Sequence, residues 1–136
     1  MYTGNEHLVL NDKELEFNML NYWQWAYSDL IDNTERGVFA EYIVKAALAL
    51  NGPDPNQGSR WWHPYDLTGP SGLRLEVKSS AYIQGREQSD YAKISFSIAP
   101  TKLYNEYTDY SLEAKRHSDV FIFCIWNTKD RSSSPL

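Results

Sequence analysis

Hydrophobic positions along the chain fall first into helical and then into strand-like spacing. From about Asn18 to Leu30, the residues Trp23, Tyr27, Leu30 and Ile31 recur at helical intervals and predict one face of an amphipathic helix. Asp32-Asn33-Thr34 then offers N-cap residues for a second helix, with Glu35 in the first turn, where the helix dipole favours an acid. Val38, Phe39, Tyr42, Ile43 and Ala46 form the apolar stripe expected on it, and Asn51-Gly52-Pro53 ends it. Residues 1–16 are polar and read as an irregular lead-in.

Beyond a turn-rich loop at 53–60, the period changes to two. Strands are expected at 61–68 and 73–80 around Gly69-Pro70-Ser71-Gly72, with Leu73, Leu75 and Val77 alternating with Arg74, Glu76 and Lys78. Residues 91–98 alternate again through Tyr91, Ile94, Phe96 and Ile98, and 101–116 read as partly helical. Val120–Trp126 has the length and composition of a central strand buried on both faces, and 127–136 reads as an irregular tail. The order predicts one α/β or α+β domain over 1–136.

Composition narrows the class. A chain of 136 residues with 42% apolar and 15% aromatic residues can build one core, which excludes a disordered protein. No apolar run reaches the ~18 residues of a membrane span. The N-terminal residues lack a basic and an apolar region, so the expected compartment is the cytoplasm. One cysteine, Cys124, set in an apolar run, excludes a disulfide scaffold and a cysteine-based zinc site and reads as core.

The candidate chemistry lies around the turn. If Pro70-Ser71-Gly72 is a three-residue hairpin loop, Gly69 pairs with Leu73 and Asp66 stands directly opposite Glu76. Opposed carboxylates, with Cβ atoms about 4.5–5.5 Å apart, repel one another unless a cation lies between them. A four-residue loop would pair Asp66 with Leu75 instead. Glu76 and Lys78, two apart, share a face. Oxygen ligands of this kind suit Mg²⁺ or Mn²⁺ better than zinc.

Asp66 followed by Glu76-Val77-Lys78 resembles the D…ExK signature of the PD-(D/E)xK nuclease superfamily. The helix bearing Glu41 (Arg36-Gly37-Val38-Phe39-Ala40-Glu41) is similar to the helix-borne Glu of its Holliday-junction resolvases. Asp32–Gly37 and Glu76–Tyr82 resemble a group of small uncharacterised bacterial proteins within it, and the likeness runs from about Trp23 to Trp126. It departs at Tyr65, where the superfamily places a proline. The resemblance implies a restriction-endonuclease-like αβββαβ core with an additional N-terminal helix. It implies a metal-dependent nuclease in which Asp66, Glu76 and the Val77 carbonyl hold Mg²⁺ or Mn²⁺. Lys78 would position the nucleophilic water, and Glu41 would ligate directly or through water. The expected substrate is nucleic acid, DNA in the first place, and cutting two strands would suit a homodimer. Members of the group continue past the last strand into another strand, so a fragment is a third reading of the chain.

Plainer readings stand beside these. Glu76 and Lys78 form a surface ion pair on a solvated strand, and Glu41 pairs with Lys45. Trp61, Trp62, Tyr65 and Tyr82 pack more readily than they stack on bases, His63 is an ordinary histidine, and Asp119 is a turn or cap residue. Net charge is −5, yet residues 36–102 carry eight bases and six acids while residues 1–35 carry one base and seven acids. With Glu41, Asp66 and Glu76 on a metal, Arg36, Arg60, Arg74, Arg86 and Lys93 would form a phosphate-binding surface, with Ser79 and Gln84 as further contacts. The competing class is an inactive nucleic-acid- or protein-binding module of the same fold.

Overall fold

The computed structural model describes residues 2–48, 64–105, 109–110 and 113–131. Asn51-Gly52-Pro53, Arg60, Trp61, Trp62, His63 and the end of the tail from Ser132 lie outside the described residues.

The chain opens with an antiparallel ribbon of β1 (His7–Leu10) and β2 (Lys13–Asn18), which corrects the expected irregular lead-in. Leu10 pairs with Lys13 across Asn11 and Asp12, whose φ values are 50° and 61°. Two left-handed residues make the tight turn whose twist suits a hairpin, and Asn and Asp tolerate that conformation. Asn18 then caps α1 (Met19–Tyr27): its side chain accepts from the Asn21 N–H at 3.1 Å, and the Asn21 side chain accepts from the Asn18 N–H at 3.0 Å. The helix stops at Tyr27, so Leu30 and Ile31 lie in the following turn rather than on it.

The second helix, α2 (Asn33–Ala47), begins where the sequence places it. Asp32 Oδ1 accepts from the Thr34 N–H at 2.8 Å, satisfying one of the amides that a helix start leaves open. Its buried stripe is Arg36, Ala40 and Val44, spaced four apart; Tyr42 and Ile43 of the expected stripe are exposed. The small Ala40 side chain admits the sheet close to the helix axis, and the bulkier residues are displaced to the flanks.

The sheet that α2 covers is β3 (Leu67–Thr68), β4 (Arg74–Ala81) and β7 (Val120–Trp126), in the order β3-β4-β7. β3 and β4 are antiparallel with Leu67 opposite Leu75 and Thr68 opposite Arg74; β4 and β7 are parallel and in register from Leu75–Val120 to Ala81–Trp126. Leu67, Leu75, Val77, Ala40 and Val44 form the buried core, with Ile122 and Cys124 packed against it. β7 is an outer strand among the described residues, and its Phe123 and Ile125 are exposed; the expected central strand buried on both faces is corrected accordingly.

Two further expectations change. Residues 91–98 hold no ladder, although Phe96 stacks on Phe123 with ring centres 4.5 Å apart. The described residues of 101–118 hold no helix: they form a bridge between Thr101 and Lys115 and a pair of two-residue strands, β5 (Tyr104–Asn105) and β6 (Asp109–Tyr110). The result is a mixed α/β chain in which helix, hairpin and parallel strand follow the expected order. The third strand and second helix of an αβββαβ core are not among the described elements. No helix of the described residues is long and apolar enough to cross a membrane.

Candidate functional site

The turn between β3 and β4 sets the geometry. Gly69 N–H donates to the Leu73 carbonyl at 2.7 Å, so Pro70, Ser71 and Gly72 are the three loop residues, with Ser71 and Gly72 left-handed at φ 57° and 79°. The register that follows pairs Thr68 with Arg74 and Leu67 with Leu75, and the Asp66 N–H also donates to the Leu75 carbonyl, at 2.9 Å. β3 is two residues long, so among the described residues no strand pairs with that edge of β4 beyond Leu75. The Asp66 carboxylate takes that place, accepting from the Val77 N–H at 2.6 Å.

Glu76 and Lys78 lie on the face of β4 opposite to Leu75 and Val77, as alternation demands. Lys78 Nζ donates to Glu76 Oε1 at 2.6 Å. Glu76 Oε2 accepts from the hydroxyl of Ser118 at 3.1 Å, a buried residue next to the start of β7 that no sequence signal marked. The pair is part-buried, with 36% of the Lys78 side chain and 22% of the Glu76 side chain exposed.

The electrostatics join Asp66 to this pair. Burial pushes the Asp66 carboxyl above its ordinary range, and Glu76 adds to the rise; the Val77 N–H and the Lys78 ammonium oppose it. Both side chains of the pair thus bear on the Asp66 carboxyl. Glu41 is placed differently: it lines a cavity of about 490 Å³ between α1, α2 and β3, together with Trp23, Tyr27, Tyr42, Lys45 and Asp66. Asp66 lies at the junction of the two regions. Among the described residues no three acidic, histidine or cysteine side chains gather closely enough to hold a metal ion.

The expected phosphate surface divides. Arg36 is buried, and its guanidinium donates to the Ile31 carbonyl at 2.8 Å, to Asn33 Oδ1 and to Ser79 Oγ at 3.2 Å. Arg36 and Ser79 are thus engaged with each other between α2 and β4, and the burial of Arg36 corrects its assignment as a nucleic-acid contact. Arg74 is exposed but holds Asp119 through Nε at 3.0 Å and Nη2 at 2.6 Å, clamping the starts of β4 and β7. Gln84 turns its amide back to the Ala81 carbonyl at 2.8 Å. Arg86 and Lys93 are exposed, and Arg60 lies outside the described residues.

No family model, curated protein or solved structure matches the chain.

Proposed function

We propose that the protein is a metal-dependent nuclease that hydrolyses phosphodiester bonds of nucleic acid, DNA in the first place, at Asp66, Glu76 and Lys78. The observation that carries the reading is the Val77 N–H bond to the Asp66 carboxylate, which sets Asp66 at the edge of the Glu76-Val77-Lys78 segment. Burial raises the Asp66 carboxyl first, and the like charge of Glu76 adds to the rise. A hard divalent cation between two carboxylates would remove it, which fits Mg²⁺ or Mn²⁺. A strand residue's carbonyl points to the same side as its N–H, so the Val77 oxygen is turned toward the Asp66 edge as a further donor.

Bound there, the cation would supply Lewis-acid polarisation of the phosphate and a lower pKa for an attacking water. Asp66 and Glu76 would hold it. Lys78, released from Glu76 as the cation takes that carboxylate, would stabilise charge growing on the phosphate oxygens. Glu41 would act from the neighbouring cavity through water. Cutting both strands of a duplex takes two such centres, so the reading extends to a homodimer.

The second reading, an inactive module of the same fold, is favoured by one observation: Lys78 and Ser118 already occupy both Glu76 oxygens. The experiment that decides is incubation with labelled duplex DNA, single-stranded DNA and RNA in Mg²⁺ or Mn²⁺, with an EDTA control and Lys78→Ala. Metal-dependent cleavage that falls about 10²-fold or more in Lys78→Ala is the expected result. Full activity in Lys78→Ala overturns the site, and salt-sensitive binding without turnover favours the module.

A further inference from the structure

The parallel pairing of β4 and β7 brings two chain exits together. Ala81 lies opposite Trp126, so residues 82–92 and 127–131 leave the sheet at the same end. The first segment is a closed loop: the Ala92 N–H donates to the Tyr82 carbonyl at 2.8 Å. The Gln88 side chain braces it from within, accepting from the Gln84 N–H at 2.7 Å and donating to the Asp90 carbonyl at 3.3 Å.

Two cations fasten the second segment onto this loop. Lys129 Nζ lies 4.8 Å from the ring centre of Tyr82 and 5.4 Å from that of Tyr91. Arg131 Nη2 donates to the Gln84 and Arg86 carbonyls, each at 2.8 Å. A cavity of about 440 Å³ opens beside them, lined by Gln88, Asp90, Tyr91, Lys129 and Arg131 among others. It lies beyond the carboxyl ends of the parallel strands, where open parallel sheets present their ligand sites.

The donor inventory gives the ligand class. Guanidinium carries five N–H groups and ammonium three. Nη2 of Arg131 is used on the loop, while its Nε and Nη1 make no hydrogen bond among the described residues. Lys129 makes ring contacts and no ion pair there. Among the described residues the one acid lining the cavity is Asp90, whose Oδ1 accepts from the Tyr91 N–H at 2.7 Å. Tyr91 is 54% exposed and has ring surface to offer.

We infer that Lys129 and Arg131 form a subsite for a backbone phosphate of nucleic acid, with Tyr91 beside it for an adjoining base. The ligand class rests on the nucleic-acid reading of the Asp66–Glu76–Lys78 site. Ala81, the last residue of β4, follows Lys78 by three residues, roughly 10 Å at 3.3 Å per strand residue, and Tyr82 comes directly after it. A backbone lying across Lys78 reaches the subsite within a few nucleotides. The subsite thus holds substrate and takes no part in bond cleavage.

The test is fluorescence anisotropy with a labelled single-stranded DNA oligonucleotide over a series of salt concentrations. Lys129→Ala/Arg131→Ala weakens binding and makes the log–log salt slope shallower by about 0.7, the contribution of one phosphate contact on a single strand. Lys129→Arg/Arg131→Lys keeps the slope, and Asp90→Asn tightens binding by removing the opposing charge. An unchanged slope in the alanine pair overturns the subsite. So does a charge-keeping pair as weak as the alanine pair, which would mark a role in holding the tail, and so does a wild-type protein that does not bind. Cleavage lost in Lys78→Ala with an unchanged slope in the alanine pair removes the subsite alone. The reverse pattern, with Lys78→Ala fully active, removes the catalytic assignment and leaves the subsite standing.

Discussion

The Val77 N–H donates a 2.6 Å hydrogen bond to the Asp66 carboxylate at the point where β3 has ended and β4 continues. A side chain there completes a ladder that the backbone leaves open, so Asp66 is structural as well as a candidate ligand. Its carboxyl is nevertheless raised, because burial outweighs that hydrogen bond and Glu76 adds repulsion. A group with a raised pKa in the fold binds its proton more tightly folded than unfolded, so its contribution to stability falls as pH rises.

Asp66→Asn keeps the acceptor oxygen and removes the titration. Urea unfolding across the carboxylate range and up to neutral pH should show the variant gaining on the wild type as pH rises, with the gap widest once Asp66 is ionised. Added Mg²⁺ should raise the wild-type Tm and leave that of Asp66→Asn unchanged, by linkage of binding to folding. A wild type indifferent to the cation would count against the metal assignment.

Arg36 ties the start of α2 to β4. Truncation leaves the half-buried Ile31 carbonyl and Ser79 hydroxyl without this donor, so Arg36→Ala should cost about 1–3 kcal/mol in denaturant unfolding. Arg36→Lys should recover little of this, since one ammonium cannot reproduce a fork spread over three acceptors. The salt slope of oligonucleotide binding should be the same in the folded Arg36→Lys variant as in wild type. A shallower slope would restore Arg36 as a phosphate contact.

Arg36 also shows what patterning conceals. The start of α2 was legible because capping is local chemistry, but the buried stripe was not. A basic residue at its head reads as surface until the partners that satisfy it are seen. The three-residue loop was legible for the same local reason: a proline, a serine and a glycine define a short turn, and Leu67 and Thr68 pair with Leu75 and Arg74 as it requires. The segment 91–98 misled because alternation requires only that one side face the protein, and an extended chain without a ladder meets that condition. Val120–Trp126 misled because an apolar run reports strand propensity and not neighbours on both sides. The hairpin at Asn11-Asp12 did leave a signal, two residues fit for positive φ between Leu8, Leu10 and Leu15, Phe17. Lys129 and Arg131 had none, because parallel pairing over a long crossover joins them to the loop after β4.

The loop that fixes the site can be probed directly. Gly72 holds φ 79° with open space where a side chain would stand, so Gly72→Ala should cost about 1–2 kcal/mol through backbone conformation alone. Ser71, at φ 57°, should accept Asn with a gain of a few tenths of a kcal/mol. Thermal or urea unfolding measures both, and equal effects of Ala at the two positions would contradict the assigned turn.

Asp119 and Arg74 close the other end of β4. The Arg74 side chain and backbone N–H all donate to the Asp119 carboxylate, and these bonds hold its carboxyl down to about 2. A depressed pKa in the fold contributes stability above the unfolded value, near 3.9 for Asp, and loses it as pH falls through the folded one. Asp119→Asn should therefore be less stable than wild type at neutral pH, and the difference should shrink between about pH 4 and pH 2. The Arg74 carbonyl also accepts from the Asp119 N–H at 2.8 Å, which the substitution leaves in place, so strand pairing should survive and the loss should be modest. A difference that persists unchanged at pH 2 would mean that packing, and not the charge-assisted bonds, sets the contribution of this clamp.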